Sequence, residues 1–521
     1  MNCYFRTNVT KKTGIGNYKR CLRLALSLRE KGHNCTIFTD HKLNKYFFNK
    51  KIKHEYLFKN NYRNFSNLKD SEKFLSETKK PGYILVDDNR IDLSWQKKVK
   101  DFHKKLIIIS DYSKKNVADI LINTKPDYLI SSNCQKEVSK NKNKKLLLGP
   151  SYSIIEKKIK SKNKKDNTFK IMFYFGGSGN LKYATNIIKE FITSKKLLKY
   201  KIFVIVGPNS KNFKDLLSLQ KKYFTKIKLI FSPKNLSNLL ASLNLYIGSA
   251  GISIFETSLY KIPSLLFKTS HDQEVDASCL EKLGHYFLME KNDLKETKKI
   301  CEIISIFFKE RSRIKNLVNS RKFNVDDRGT NRIVREIFKN DNFYIKYYEK
   351  KVIKKSLKKS NFTVEKIDDV SINKYLDISN KSINRNNSLR NKKIKKIDHY
   401  IWWFKNRRAS FIFKKNNEKI ILFFHNTINM GNDKFIVPGW YIIKKDASFL
   451  DIIMGLKKQY NILSTLKNKE KITQLGVINK NNKSMIKFAP KLHWKKLKST
   501  DFLFSRLNKK IKSDNFLFYT R

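Results

Sequence analysis

The sequence predicts an α/β protein with two Rossmann-like domains facing a cleft, followed by a smaller α+β domain. Three observations carry this. Strand-like apolar runs alternate with amphipathic helical runs from residue 1 to about 340, the pattern of parallel α/β layers. Glycine-marked loops follow three of the apolar runs. Beyond residue 360 the alternation stops, and Asn361–Val364, Ser410–Lys414 and Lys419–Phe424 suit strands of an antiparallel sheet.

In the first half, strands are expected near Cys3–Thr7, Cys35–Thr39, Tyr83–Val86, Leu106–Ser110 and Tyr128–Ile130. In the second half they are expected near Lys170–Tyr174, Lys201–Val206, Ile227–Phe231, Leu243–Ile247 and Ser264–Phe267. Gly149-Pro150 and the polar run Lys157 to Asn167 separate the halves. The expected boundaries are therefore 1–150, 151–340, a basic linker 341–360, and 361–521. In the first helix Cys21, Ala25 and Leu28 keep helical spacing, and Gly32 sits where a helix end favours a left-handed residue.

The loops carry the chemistry. Phe175-Gly176-Gly177-Ser178-Gly179 follows one strand, and Gly248-Ser249-Ala250-Gly251 runs through Ile252 to Glu256 after another. Thr13-Gly14-Ile15-Gly16-Asn17 lies near the amino terminus. A glycine turn opening a helix lets backbone N–H groups approach a phosphate, and the helix start adds partial positive charge. Glu256, a turn further on, offers two acceptor oxygens to sugar hydroxyls. Gly14, Gly16, Gly177, Ser178, Ser249, Ala250, Gly251 and Glu256 are thus expected to bind a nucleotide diphosphate carrying a sugar.

Composition narrows the class. A length of 521 residues suits two or three domains. No run of about 20 apolar residues is present, so no membrane span is expected. The net charge of +67 is mostly lysine spread over nearly every polar face, with abundant Asn and Ile. That is the signature of an AT-rich coding sequence; a nucleic-acid surface clusters arginine with exposed aromatics, so no nucleic-acid partner is expected. Cys3, Cys21, Cys35, Cys134, Cys279 and Cys301 lack metal-ligand spacing and read as reduced buried thiols, which points to the cytoplasm.

Arg6-Thr7 followed by Gly-x-Gly-x-x-x-Arg ending at Arg20 resembles the entry of the UDP-sugar hydrolases of the pseudaminic acid pathway. These are the UDP-2,4-diacetamido-2,4,6-trideoxy-β-L-altropyranose hydrolases. Val86-Asp87-Asp88-Asn89, Ile109-Ser110-Asp111, Ala118-Asp119 through Asn123, Gly149-Pro150-Ser151-Tyr152, the two later glycine loops and Asp272-Gln273 continue the likeness over about 290 residues. The resemblance implies two facing Rossmann-like domains of the GT-B type, release of UDP from a 2,4-diacetamido-trideoxyhexose, and no cofactor. It adds Arg20 and Gln273 to the substrate-binding set. The family's histidine is replaced here by Asn17. Asparagine cannot take up a proton near neutral pH, so Asn17 would orient water or a sugar hydroxyl. Asp88, at a strand's carboxyl end, would supply the carboxylate.

Arg385-Asn386, Ser388-Leu389-Arg390 and Ile397-Asp398-His399-Tyr400-Ile401-Trp402-Trp403-Phe404 resemble GNAT-type acyltransferases. Asn479, Ser484 and Lys491-Leu492-His493-Trp494 match that family's close. The resemblance implies a GNAT-like fold, acetyl-CoA as cofactor, and Asn479 and Ser484 on the acyl-CoA side. The family's diphosphate-binding (Arg/Gln)-x-x-Gly-x-(Gly/Ala) turn has no counterpart; only Val437-Pro438-Gly439 and Met454-Gly455 stand in that region. His399 and His425 are read as packing residues. A bifunctional protein of nonulosonic acid biosynthesis follows, with a glycosyltransferase or a non-catalytic sugar-nucleotide binder as alternatives.

Overall fold

The computed structural model describes residues 1–9, 15–40, 49–58, 65–110, 115–126, 144–160, 167–194, 199–269, 276–339, 362–388, 391–406, 408–430, 433–470, 472–511 and 515–521. Gly14, Gln273, Cys134, the expected strand Tyr128–Ile130 and the expected linker 341–360 lie outside these residues. The chain forms two compact units, Met1–Tyr348 and Glu349–Arg521.

The first unit holds two parallel sheets. Strands β1 (Asn2–Thr7), β2 (Asn34–Thr39), β3 (Lys53–Tyr56), β4 (Tyr83–Asp87), β5 (Lys105–Ile109), β6 (Ile120–Asn123) and β7 (Lys145–Leu148) line up as β3-β2-β1-β4-β5-β6-β7. The runs of β4, β5, β6 and β7 are mostly apolar because both faces are covered, whereas the edge strand β3 is polar and has no buried residue. Alternate residues go to opposite cores: Leu85, Ile107 and Ile109 to one, and Ile84, Val86, Leu106 and Ile108 to the other.

The second sheet repeats the plan. Strands β8 (Phe169–Tyr174), β9 (Tyr200–Val206), β10 (Ile227–Phe231), β11 (Leu245–Ser249), β12 (Ser264–Lys268) and β13 (Phe287–Glu290) run in the order β10-β9-β8-β11-β12-β13. Both sheets thus have the Rossmann order, with a reversal between their first and fourth strands. Ligands of such sheets sit outside the carboxyl ends at that reversal. The sequence reading does not include β3, β6, β7 and β13, short strands with few flanking turn signals. The helix Gly329–Phe338 falls within the expected second half, 151–340, yet Ile333, Val334 and Ile337 are buried in the core of the first.

The second unit is α+β, as expected. Strands β14 (Phe362–Lys366), β15 (Ala409–Lys415), β16 (Glu418–Met430) and β17 (Asp433–Ile442) form an antiparallel meander. The helix Phe449–Glu470 then leads to β18 (Thr473–Asn479), which runs parallel to β17. Strands β19 (Lys495–Lys496) and β20 (Phe516–Thr520) complete the order β14-β15-β16-β17-β18-β20-β19. Among the described residues no helix is long and apolar enough to cross a membrane.

A buried ionic cluster closes the carboxyl end of the first sheet. The Arg6 guanidinium, fully buried, pairs with Asp40, with Asp70 at 2.6 Å and with Asp88 at 3.6 Å. Arg90 bridges Asp40 and Asp88 at 2.6 Å each, and Trp95 Nε1 donates to Asp70 at 2.8 Å. Each charge has a partner, as burial requires.

Burial alone would raise the Asp40 carboxyl pKa, but the Arg6 and Arg90 charges overcome it and hold the group below its ordinary value. A depressed folded-state pKa contributes stability that is present above the unfolded value of about 3.9 and is lost as pH falls through the folded value. Asp40→Asn is expected to cost about 3 kcal/mol at neutral pH, by leaving Arg6 under-compensated. It should also flatten the acid-side loss of stability. Urea midpoints measured across an acid series check both effects.

Candidate functional site

The helix Gly16–Arg29 begins just beyond β1 and presents Gly16, Asn17, Lys19, Arg20 and Arg23 along one wall of a cavity. Arg20 grips the Asp87 carboxylate through Nε and Nη2, both at 2.8 Å. It also donates to Asn17 Oδ1 at 3.1 Å, while Asn17 Nδ2 donates to the Asp87 carbonyl at 3.2 Å. Asn17 therefore sits in one fixed orientation, with one N–H and one lone pair still unused by these bonds. Arg20, expected to bind substrate, lines the cavity and also holds Asn17 and Asp87 in place.

The opposite wall comes from the second sheet. Gly176 has φ of 84°, the left-handed conformation that glycine adopts without strain. The backbone N–H groups of Gly176, Gly177, Gly251 and Ile252 donate to no acceptor among the described residues. All four residues line the same cavity as Gly16 and Asn17. A Cβ on Gly16 would lie 3.1 Å from Ile252 Cδ1, and one on Gly177 would lie 3.7 Å from Ile15 N, so the two walls nearly touch. The Ala250 N–H, by contrast, is engaged by the Phe267 carbonyl at 3.1 Å, so Ala250 lines the cavity without a donor to offer.

Strands β8 and β11 are knit together behind this loop. A Cβ on Gly248 would meet Tyr174 O at 1.9 Å, so no other residue fits the approach. The Tyr246 hydroxyl lies 3.0 Å from Tyr174 O, 3.3 Å from Ser249 O and 2.8 Å from Ser253 Oγ. Burial raises the Tyr246 pKa, so the group stays a neutral donor.

The cavity has a volume of about 250 Å³ and mixes charges of both signs. Glu256, in the first turn of the helix Ser253–Leu259, accepts from Arg23 Nη2 at 3.4 Å. Arg23 also meets Glu156 at 3.0 Å and the Ile154 carbonyl at 2.9 Å. Lys19 Nζ donates to the Pro233 carbonyl at 3.4 Å, and burial with the nearby Arg23 charge lowers its pKa. Burial and the Glu256 charge push Tyr174 up to about 12.

Of the expected residues, Gly16, Asn17, Arg20, Gly177, Ser249, Ala250, Gly251 and Glu256 line this cavity. Asp88 does not. Its buried carboxylate is held by Arg90, by Arg6 and by Asn8 Nδ2 at 3.2 Å, so it belongs to the ionic cluster and is no free base. Ser178 lies beside the cavity, its Oγ buried without a partner. Sequence reasoning missed Lys19, Arg23 and Glu156. The first two share the helix face of Gly16 and Arg20 by i, i+3 and i+4 spacing, the signal that could have found them.

The second unit contains a larger cavity, about 980 Å³. Strands β17 and β18 pair only at Phe435↔Thr473 and Ile436↔Gln474, then diverge. Val437 to Ile442 and Gly476 to Asn479 line the gap, with Trp402, Phe424, Tyr460 and Trp494 among its aromatic walls. Asn479 lines the cavity; Ser484 is exposed and does not. His399 is buried, bonded through Nε2 to the Ile372 carbonyl at 2.8 Å, and burial lowers its pKa to about 4, which suits a packing role.

The start of the helix Phe449–Glu470 is where the GNAT resemblance would seat a CoA diphosphate. Ser448 Oγ accepts the Asp451 N–H there at 3.1 Å, and the Ala447 N–H is bonded to the Lys444 carbonyl. Asp451 itself pairs with Lys415 at 2.7 Å. No glycine occurs from Trp440 to Met454. Gly439 and Gly455 serve packing: a Cβ would strike the Phe424 ring at 2.3 Å and Ile421 at 2.5 Å. The Ser448, Phe449 and Leu450 N–H groups donate to no acceptor among the described residues, so this helix start keeps three donors beside the Asp451 carboxylate.

No protein-family model matches the chain. It is 26% identical over 363 residues to an uncharacterized protein of Methanocaldococcus jannaschii, covering 64% of this chain and 70% of that one. Among solved structures it is similar to MurG of Acinetobacter baumannii, at 12% identity and a TM-score of 0.45, over 64% of this chain and 98% of that one. It is also similar to an N-acetyltransferase of Staphylococcus aureus Mu50, at 18% identity and a TM-score of 0.24, over 31% of this chain and 98% of that one.

Tyr246→Phe removes the hydroxyl that ties β8 to the Ser249–Ser253 turn. It is expected to destabilise the first unit by about 1–2 kcal/mol and to speed amide exchange at Gly251 and Ile252. Hydrogen exchange followed by mass spectrometry reads both.

Proposed function

We propose that the first unit is a UDP-sugar hydrolase-like enzyme releasing UDP from a 2,4-diacetamido-trideoxyhexose. The second unit would be the acyltransferase-like partner of the same nonulosonic acid pathway. The observation that carries this reading is the convergence of four acceptor-free loop N–H groups and Glu256 on one cavity at two Rossmann reversal points. Backbone N–H groups so placed bind diphosphate oxygens. Glu256 would accept hydroxyl hydrogen bonds from the nucleotide's sugar, and Lys19 with Arg23 would offset phosphate charge. Water would add to the anomeric carbon as UDP leaves with the bonding electron pair, and Asn17 would orient that water.

A second reading, a sugar-nucleotide binder without turnover, is favoured by one observation. Neither Asn17, an amide, nor Asp88, paired with two arginines, is a free proton acceptor. Incubation of the full chain with the UDP-diacetamido sugar, with detection of UDP, separates the two. Release of UDP supports the hydrolase; calorimetric binding of UDP without release supports the binder. In either case Glu256→Gln is expected to weaken UDP binding about tenfold, about 1.4 kcal/mol. If hydrolysis occurs, Asn17→His should raise its rate by restoring a group that can accept a proton.

A further inference from the structure

A second cavity in the first unit, about 560 Å³, shares no lining residue with the first. It lies where the chain passes between the two sheets. Residues 151–160 lead away from the first sheet, and residues 326–328 return the chain to the helix Gly329–Phe338 on the first core. Arg332 fastens the two crossings together: its Nη1 donates to the Ser151 carbonyl at 2.8 Å and to Asp326 at 2.7 Å. The Lys158 N–H donates to Asp327 Oδ2 at 2.9 Å. The helix Gly16–Arg29 supplies a further wall from its last turn, at Ser27, and from Lys31 just beyond it.

The lining is charged and one-sided. Lys31, Lys157, Arg328, Arg332 and Arg335 line the cavity, and Glu30 is the one acid among the described lining residues. Arg332 is neutralised by Asp326, and Arg335 meets Glu336 at 3.3 Å. Lys31, Lys157 and Arg328 are exposed, and their side chains form no ion pair or hydrogen bond among the described residues; nor does that of Glu30. Three cations against one carboxylate leave an excess of two. Asp326 and Asp327 lie close by in sequence but do not line the cavity, and both carboxylates already accept hydrogen bonds. Like charges gathered from three separate stretches of chain repel one another, and a bound anion reverses that term. Ser27 and Asn331 complete the lining, with no aromatic or aliphatic residue among them. The cavity therefore offers charge and hydrogen-bond donors, and no apolar face for a base or an acyl chain.

We infer that this cavity binds a compact polyvalent phosphate anion, without a nucleoside, through Lys31, Lys157 and Arg328. The inference is independent of the nucleotide reading of the first cavity.

The test is lysine footprinting of the full chain: acetylation by an amine-reactive ester, read by peptide mass spectrometry, with inorganic diphosphate as the probe. Salt at about 0.15 M screens diffuse attraction to the basic chain. Half-protection of Lys31 and Lys157 is expected below about 1 mM diphosphate. Lys221 and Lys222, exposed on the helix Lys214–Lys222, should label at an unchanged rate. Protection of Lys19 and Lys234 alone would place the anion in the first cavity, and equal protection of all exposed lysines would show diffuse attraction only. Either result overturns the inference, as does no protection of Lys31 and Lys157 by about 10 mM. Arg328→Gln is expected to raise the diphosphate concentration for half-protection about tenfold. Arg335→Gln, which removes a guanidinium already paired with Glu336, should raise it less; the reverse order would count against the assignment.

Discussion

The first unit depends on how closely two strands approach at a chain reversal. At Gly248 the backbone of β11 comes so near the Tyr174 carbonyl that a methyl group would overlap it. The Tyr246 hydroxyl then locks Tyr174, Ser249 and Ser253 to one another. With the turn fixed this way, the N–H groups of Gly251 and Ile252 are left over, because no nearby carbonyl can turn to meet them. Polar groups without partners are costly when sequestered, so a fold that keeps them at a cavity wall is prepared for a ligand. The facing half solves the same problem with charge: Arg20 binds Asp87 twice and thereby sets the orientation of Asn17.

The chain's net charge of +67 says little about this cavity. Around it, Lys19, Arg20, Arg23, Lys125 and Lys234 stand against Glu156, Glu256 and the Asp87 carboxylate that Arg20 holds, and the balance is basic. Glu256, held by Arg23 at 3.4 Å, places an acceptor within that basic lining. The Arg6 cluster below it has another role. Three carboxylates and two guanidinium groups, nearly all out of water, fix the ends of β1, β2 and β4 relative to the helix Asn67–Glu77. The loops that bear the site then start from rigid ends.

The fold was largely legible in the sequence because parallel strands buried on both faces read as continuous apolar runs. Most of β1, β4, β8, β9 and β12 fell where those runs lie. The glycine loops were legible too, since only glycine tolerates the Gly176 dihedral and the Gly248 contact. Two things were not. Asp88 looks like a catalytic carboxylate at a strand end, and only the fold shows that Arg6 and Arg90 enclose it. The helix Gly329–Phe338 follows the second sheet in sequence but packs on the first, where Lys145 meets Glu336 at 2.8 Å. Such long-range pairing has no local signature.

The second unit makes its cavity by a different physical route. A parallel sheet continues only while both strands keep register, and β17 breaks it after two rungs. Pro438 offers no N–H to either neighbour, and Gly439 has room only for a hydrogen against the Phe424 ring. Both residues keep their pairing to β16, with His425 and Phe424 respectively. The strand therefore stays fixed on one edge while it leaves β18 on the other. Aromatic and basic side chains line the gap, and the buried Gln474 sits where the strands part. In the first unit, spare donors meet acidic and basic side chains; in the second, two parted strand edges and an unpaired amide oxygen lie between rings. Both cavities carry basic side chains as well, Lys19 and Arg23 in the first and Arg385, Arg408 and Arg521 in the second.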